Sequence, residues 1–252
     1  MIHHKGEKPM PEQIYLGFAR HDQPQVTLED TVILPDASGS MALGDYRPTR
    51  IDGAKDAAKG LTQVKFAQYP LDRIGVVSYA DEAEIHLPLT TVGSHAGDIN
   101  KAIDDIELRG TTNMSAGLQA AEVVLNGQDN QSLMDVAKAH LAAVLKPNAS
   151  ARAAHSGRQR RIILLTDGGH NVGSQQELFE IADRLKQSGV VIATIGIGGD
   201  PSDVNEADLK RIASIHPRTG QPMYCFIADS QSLQIEFKRQ AHHLVRMPTT
   251  DT

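Results

Sequence analysis

Residues 31 to 41 read Thr31-Val32-Ile33-Leu34-Pro35-Asp36-Ala37-Ser38-Gly39-Ser40-Met41, an unbroken apolar run that ends in one carboxylate and two hydroxyls at alternate positions. An uninterrupted, β-branched-rich run of this length predicts a strand covered on both faces, as in a parallel sheet. Two more runs share the pattern, Ile162-Ile163-Leu164-Leu165 and Val190 to Ile195, and the former also ends in polar residues, Thr166-Asp167-Gly168-Gly169. These three runs belong to the middle of the sheet.

A different pattern marks the edge. Ala83, Ile85, Leu87 and Leu89 alternate with Glu84, His86, Pro88 and Thr90, and Pro88 cannot donate to an inner ladder. The short Ala80-Asp81-Glu82 connection from Ile74 to Tyr79 leaves no room for a crossover helix, so these two strands are expected to pair antiparallel. Met223 to Ala228 supplies a final strand.

Helical spacing fills the intervals. Ile51, Ala54, Ala58 and Leu61 make a first helix, and Ile99, Ala102, Ile103 and Ile106 a second, with Ser94 as its cap. Leu178, Ile181 and Leu185 follow Ser174, with Glu177 three residues on in a capping-box pattern. Leu209, Ile212 and Ala213 mark another helix, and Leu233, Phe237 and Leu244 the last. Strand and helix alternate throughout, which predicts an α/β fold: a Rossmann-like, doubly wound, mostly parallel six-stranded sheet with one antiparallel edge strand and helices on both faces.

The 252 residues fit one domain, expected over 14–246, with a flexible amino-terminal tail over 1–13 and a carboxyl-terminal tail over 247–252. Residues 14–30 are expected to add an irregular strand or to wrap the core. An insertion at about 127–160 is expected to hold a helix, Leu133 to Leu145, and a basic loop. No acidic residue lies between Val136 and Thr166, while Lys138, Lys146, Arg152, Arg158, Arg160 and Arg161 do; such a run reads as solvated charge. The formal charge of −6 gives no general attraction to nucleic acid or to an anionic membrane. A lone cysteine, Cys225, excludes an internal disulfide framework and reads as a small buried side chain. The amino terminus lacks the apolar stretch of a secretion signal, and no apolar run is long enough to span a bilayer, so a cytoplasmic location is expected.

Function is expected where the apolar runs stop. Ligands of open parallel sheets bind beyond the carboxyl ends of the strands, where strand order reverses, and both Asp36 and Asp167 stand at such ends. The spacing of Asp36, Ser38 and Ser40 lets one loop turn three oxygens to a common point, and Gly110-Thr111-Thr112-Asn113 adds hydroxyls at a helix start. Oxygen ligands alone suit a hard cation such as magnesium rather than zinc, and two carboxylates leave an ion with unneutralised charge and an open position. Taken one by one, these residues could equally be helix caps and turns.

All three motifs in this order resemble the metal-ion-dependent adhesion site (MIDAS) of the von Willebrand factor type A (VWA) family, and the resemblance covers roughly residues 28 to 245. It implies that Ser38, Ser40 and Thr112 ligate Mg²⁺, with Mn²⁺ or Ca²⁺ as substitutes, directly or through water, while Asp36 and Asp167 act largely through coordinated waters. Thr112, rather than Thr111, matches the family's Gly-x-Thr. Pro35 departs from the family by standing where a residue able to donate a strand hydrogen bond is usual, which weakens the pairing expected there. The resemblance further implies a non-enzymatic module that binds a partner protein through an Asp or Glu. Stand-alone bacterial members are most similar, and these often serve as scaffolds beside AAA+ ATPases or kinases. Two other function classes fit less well. A Mg²⁺-dependent hydrolase using Asp36 would have only His170 as an acid near the motifs and has neither a Gly-x-Ser-x-Gly elbow nor a phosphate cradle. A nucleic-acid adaptor working through the basic run is opposed by the overall acidity.

Overall fold

In a computed structural model, residues 28–46, 48–127 and 157–242 are described. The segments expected as tails, the helix Leu133 to Leu145, Leu244 and the basic residues Lys138, Lys146 and Arg152 lie outside them. Among the described residues the strands are β1 (Leu28–Pro35), β2 (Arg73–Tyr79), β3 (Ala83–Thr91), β4 (Arg158–Thr166), β5 (Val190–Ile197) and β6 (Tyr224–Ile227). The helices are α1 (Arg50–Gln68), α2 (Val92–Asp104), α3 (Met114–Leu125), α4 (Gln175–Gln187), α5 (Glu206–Ile212) and α6 (Ser230–Gln240).

The strands form one sheet in the order β3-β2-β1-β4-β5-β6, with β3 antiparallel to β2 and every other pair parallel. Alternate residues of the continuous runs serve opposite faces. Ile33, Val76, Ile163, Leu165 and Ile195 pack with α1, α2 and α6 through Ala54, Ala58, Leu61, Ile99, Ile103, Leu233 and Phe237. Val32, Leu34, Val77, Ile162, Leu164 and Ile192 pack with α3, α4 and α5 through Leu118, Ala121, Leu178, Ile181, Leu185 and Leu209. Each such fully buried aliphatic side chain contributes about 1.5–3 kcal/mol relative to exposure.

Several expectations change in detail. The β2–β3 register slips between Val76↔Leu87 and Ile74↔Thr90, so Pro88 sits where its missing N–H breaks no regular ladder. Helix α2 begins earlier than Ser94: its cap position is Thr91, and His95, at φ −135°, breaks the helical path just after Ser94. Ser174 does sit at the cap of α4 but makes no capping hydrogen bond, and Glu177 instead accepts from Gln119 Nε2 of α3 at 3.4 Å. The capping box therefore does not close.

The larger correction concerns charge. Strands β1 and β4 begin several residues before their apolar runs, and Arg158, Arg160 and Arg161 are part of β4 rather than of a solvated loop. Arg161 is fully buried and donates to Glu29 Oε1 at 2.6 Å. Lys65, equally buried, bridges Glu29 and Asp72 at 2.8 and 2.7 Å, while Asp30 accepts from Arg73 and Arg158. Charges of both signs thus meet at the amino ends of the central strands, each paired with one of opposite sign, although Glu29 Oε2 and Arg161 Nε make no hydrogen bond. Cys225 is half-buried rather than enclosed, and burial pushes its thiol up to about 12, which suits a packing role. No described helix is long and apolar enough to cross a membrane.

Candidate metal centre

Strand order reverses between β1 and β4, and the three sequence motifs meet above their carboxyl ends. Pro35 has no N–H to donate, yet it stays in register with Leu165, and the next residues restore the pairing. Asp36 N donates to Leu165 O at 2.8 Å and Ala37 N to Tyr79 O at 2.7 Å. The first loop is therefore pinned between the tips of β2 and β4, and the weakened pairing expected from Pro35 is not found.

From that anchor the oxygens chain together. Asp36 is fully buried, with Oδ1 accepting from Ser38 N and Oδ2 from Thr166 Oγ1, both at 2.8 Å. Ser38 and Ser40 hydroxyls lie 3.1 Å apart, and Ser40 Oγ donates to Asp167 Oδ1 at 2.8 Å. Ser38 stands at the cap of a short 3₁₀ turn, Gly39–Ala42, but its hydroxyl makes no capping bond, which leaves it to the cluster. The capping alternative fails for Thr112 as well, because Asn113 caps α3 by accepting from Ala116 N.

Thr112 joins through the main chain. Gly39 N donates to Gly110 O at 3.2 Å and Arg109 N to Ala37 O at 2.8 Å, which ties the second loop to the first. Thr111 donates from both N and Oγ1 to Asp81, so Thr111 is committed to the β2–β3 turn. Thr112 N donates to Asn171 Oδ1 at 2.8 Å and Asn171 N returns a bond to Thr112 O, which ties the second loop to the third. His170, the one acid expected near the motifs, accepts from Met114 N through Nδ1 and so braces α3.

Burial is the largest influence on the Asp36 carboxyl and pushes it up to about 6, against the lowering effect of its Ser38 and Thr166 hydrogen bonds. Among the described residues no Lys or Arg pairs with it. Asp167 is different, because Arg50 Nη1 lies 2.9 Å from its Oδ2. Arg50 opens α1, is 4 % exposed, and also holds Asp45 and Asp203. Its hydrogen bonds keep Asp45 down at about 2. Sequence reading missed Arg50, Asn171 and Asp81, whose partners lie far away along the chain; the run of short polar residues after each strand was the only signal nearby.

Among the described residues no three His, Cys, Asp or Glu side chains gather as metal ligands; the carboxylates of Asp36 and Asp167 stand in one hydrogen-bonded cluster with the hydroxyls of Ser38, Ser40 and Thr166. The donor set is all oxygen and carries one buried negative charge, that of Asp36, without a cationic partner, which fits a hard divalent cation.

Comparison with known proteins agrees with this layout. A family model described as "von Willebrand factor type A domain" matches residues 31–170. The chain is 31 % identical over 193 residues to uncharacterized protein YfbK of Escherichia coli, covering 76 % of this chain and 28 % of that protein. It is 27 % identical over 173 residues to the 26S proteasome regulatory subunit rpn10 of Schizosaccharomyces pombe, covering 69 % and 60 %. The chain thus spans under two thirds of the length of these relatives. Among solved structures, a von Willebrand factor type A protein from Catenulispora acidiphila superposes with TM-score 0.62 at 19 % identity, over 85 % of this chain and 42 % of that one. Proximal thread matrix protein 1 from the mussel byssus, whose structure carries a zinc-occupied MIDAS motif, superposes with TM-score 0.58 at 22 % identity, over 84 % and 47 %.

Proposed function

The chain belongs to the von Willebrand factor type A family, and from that premise we propose that it is a metal-dependent protein-binding module whose partner completes the coordination of a divalent cation. The observation that carries this reading is the Asp36–Ser38–Ser40–Asp167 oxygen chain at the point of strand reversal, with Asp36, Ser38 and Asp167 buried, Ser40 open to solvent, and no Lys or Arg among the described residues paired with Asp36. Ser38, Ser40 and Thr112 would ligate Mg²⁺, or Mn²⁺ in its place, and Asp36 and Asp167 would hold its waters. When bound, the ion supplies a positive centre with an exchangeable position for an Asp or Glu of the partner. The protein's own part is to orient: Thr166 and Ser38 N fix the Asp36 carboxylate, Ser40 fixes Asp167, and the Asn171 latch fixes the Thr112 loop.

Binding rather than turnover is the reading we favour for this site. His170, the nearest candidate acid, braces α3 through Nδ1, and among the described residues no carboxylate is hydrogen-bonded to it. Relatives whose names place them in the regulatory part of the 26S proteasome support an adaptor working inside a larger assembly, and an AAA+ ATPase or kinase of the same system is the partner class to test first. We place the module in the cytoplasm.

Calorimetric titration of the full chain with MnCl₂ tests the reading. Uptake at up to millimolar concentration is expected, and Asp36→Asn, which keeps an acceptor for Ser38 N, should abolish it without unfolding the chain. A partner captured with Mg²⁺ should leave on addition of EDTA; capture indifferent to both EDTA and Asp36→Asn would end the proposal.

A further inference from the structure

Asp167 is shared between two claims. Its Oδ1 accepts from Ser40 within the oxygen chain, whereas its Oδ2 is held by Arg50 Nη1 at 2.9 Å, and the Arg50 side chain is only 5 % exposed. A guanidinium cannot be neutralised by losing a proton, so this charge stays beside the site at every working pH. Any divalent cation at Ser38 and Ser40 must draw on a carboxylate that already serves a buried cation. The other end of Arg50 is pulled away from the site: Nε donates to Asp45 Oδ1 at 2.9 Å, and Nη2 lies 3.1 Å from Asp203 Oδ2. Asp45 is the part-exposed counterweight, with a third of its side chain in solvent.

We propose that Arg50 is a built-in competitor for Asp167 that keeps the cation affinity of the partner-free site low, and that Asp45, by drawing off part of the guanidinium's charge, moderates this competition. The inference rests on the metal reading above. Under it, tight occupation of the site requires the additional carboxylate of a partner, so cation and partner bind together. Arg50 acts through Asp167 and is a positioning residue rather than a ligand.

The arrangement predicts effects of opposite sign from two substitutions in one network. Arg50→Gln releases Asp167 and leaves Asp45 and Asp203 as unpaired negative charges, so Mn²⁺ should bind at least about tenfold more tightly. Asp45→Asn leaves more of the guanidinium's charge on Asp167, so Mn²⁺ should bind about threefold or more weakly. Arg50→Lys, with a point charge and no fork, should fall between wild type and Arg50→Gln.

The experiment is calorimetric titration of the full chain with MnCl₂, with free Mn²⁺ followed in parallel by paramagnetic resonance and folding by circular dichroism. A residue that merely held the loops in place would weaken binding in all three variants, and that result, or no change in any of them, overturns the inference. Should Arg50→Gln fail to fold, Asp45→Asn decides alone, and unchanged or tighter binding overturns it. Wild-type protein that takes up no Mn²⁺ ends the metal reading itself; uptake lost in Asp36→Asn but weakened in Arg50→Gln ends only the role given to Arg50.

Discussion

Gly110 stands where the backbone favours glycine. Its φ is +56°, and a Cβ there would lie 1.9 Å from Asp81 Oδ2, the carboxylate that also receives Thr111. Gly110→Ala strains its own backbone and must displace the Asp81 carboxylate that holds Thr111, for a loss of about 1–3 kcal/mol in a urea titration and a matching loss of Mn²⁺ uptake. Loss of stability with cation binding intact would show that the Thr112 loop does not serve the site. The residues of the site were legible in proportion to how local their contacts are. Asp36, Ser38 and Ser40 sit within one loop and announce themselves by spacing, whereas Arg50 reaches Asp167 across 117 residues and Asn171 reaches Thr112 across 59. Nothing in the stretch around Arg50 marks it as other than the first residue of an amphipathic helix, because an arginine meant for solvent and one meant for a buried aspartate look alike in sequence.

At the scale of elements, capping gives a contrast that the letters of the sequence invert. Ser174 and Glu177 carry the pattern of a capping box, yet the serine makes no cap bond, while Asn113, unremarked beside Thr112, accepts from Ala116 N at 3.1 Å. Asn113→Ala should accordingly cost about 1 kcal/mol, and Ser174→Ala close to nothing; equal losses in a thermal melt would overturn this assignment. The strands were easier to read, since a run buried on both faces has to be apolar throughout and an edge strand need not be. Their starts were not, because Glu29, Asp30, Arg158 and Arg161 look like solvent residues until β1 and β4 lie side by side with Asp30 opposite Arg160. Helix α3 shows the same limit: Gly117 lies so near Tyr79 that a Cβ would come within 2.9 Å of the ring, a contact fixed by how closely helix and sheet approach.

Across the whole molecule the two ends of the sheet divide the work. Among the described residues, the buried Asp36 at the carboxyl ends has no Lys or Arg partner, whereas at the amino ends each buried charge is paired with one of opposite sign: Lys65 and Arg161 on Glu29, Lys65 on Asp72, Arg73 and Arg158 on Asp30. Removing one partner from such a set exposes the desolvation cost of the rest, so Lys65→Met should destabilise by about 3–5 kcal/mol in urea unfolding, well beyond the loss of any exposed ion pair. Acid should act on the same end. Burial by itself would raise the Glu29 carboxyl, but Arg161 and Lys65 outweigh it and hold it below its ordinary 4.5. Asp30 likewise lies below its ordinary 3.8, as hydrogen bonds from Arg73 and Arg158 overcome its burial. The unfolded chain therefore takes up these protons first as pH falls, so their contribution is intact above about 4.5 and drains away below it. The urea midpoint should accordingly fall from pH 5 to pH 3, and Asp30→Asn, less stable at pH 7, should show a shallower fall over that interval. Parallel curves for wild type and Asp30→Asn would mean that acid unfolds the protein elsewhere, and that the amino-end network is not what ties its stability to pH.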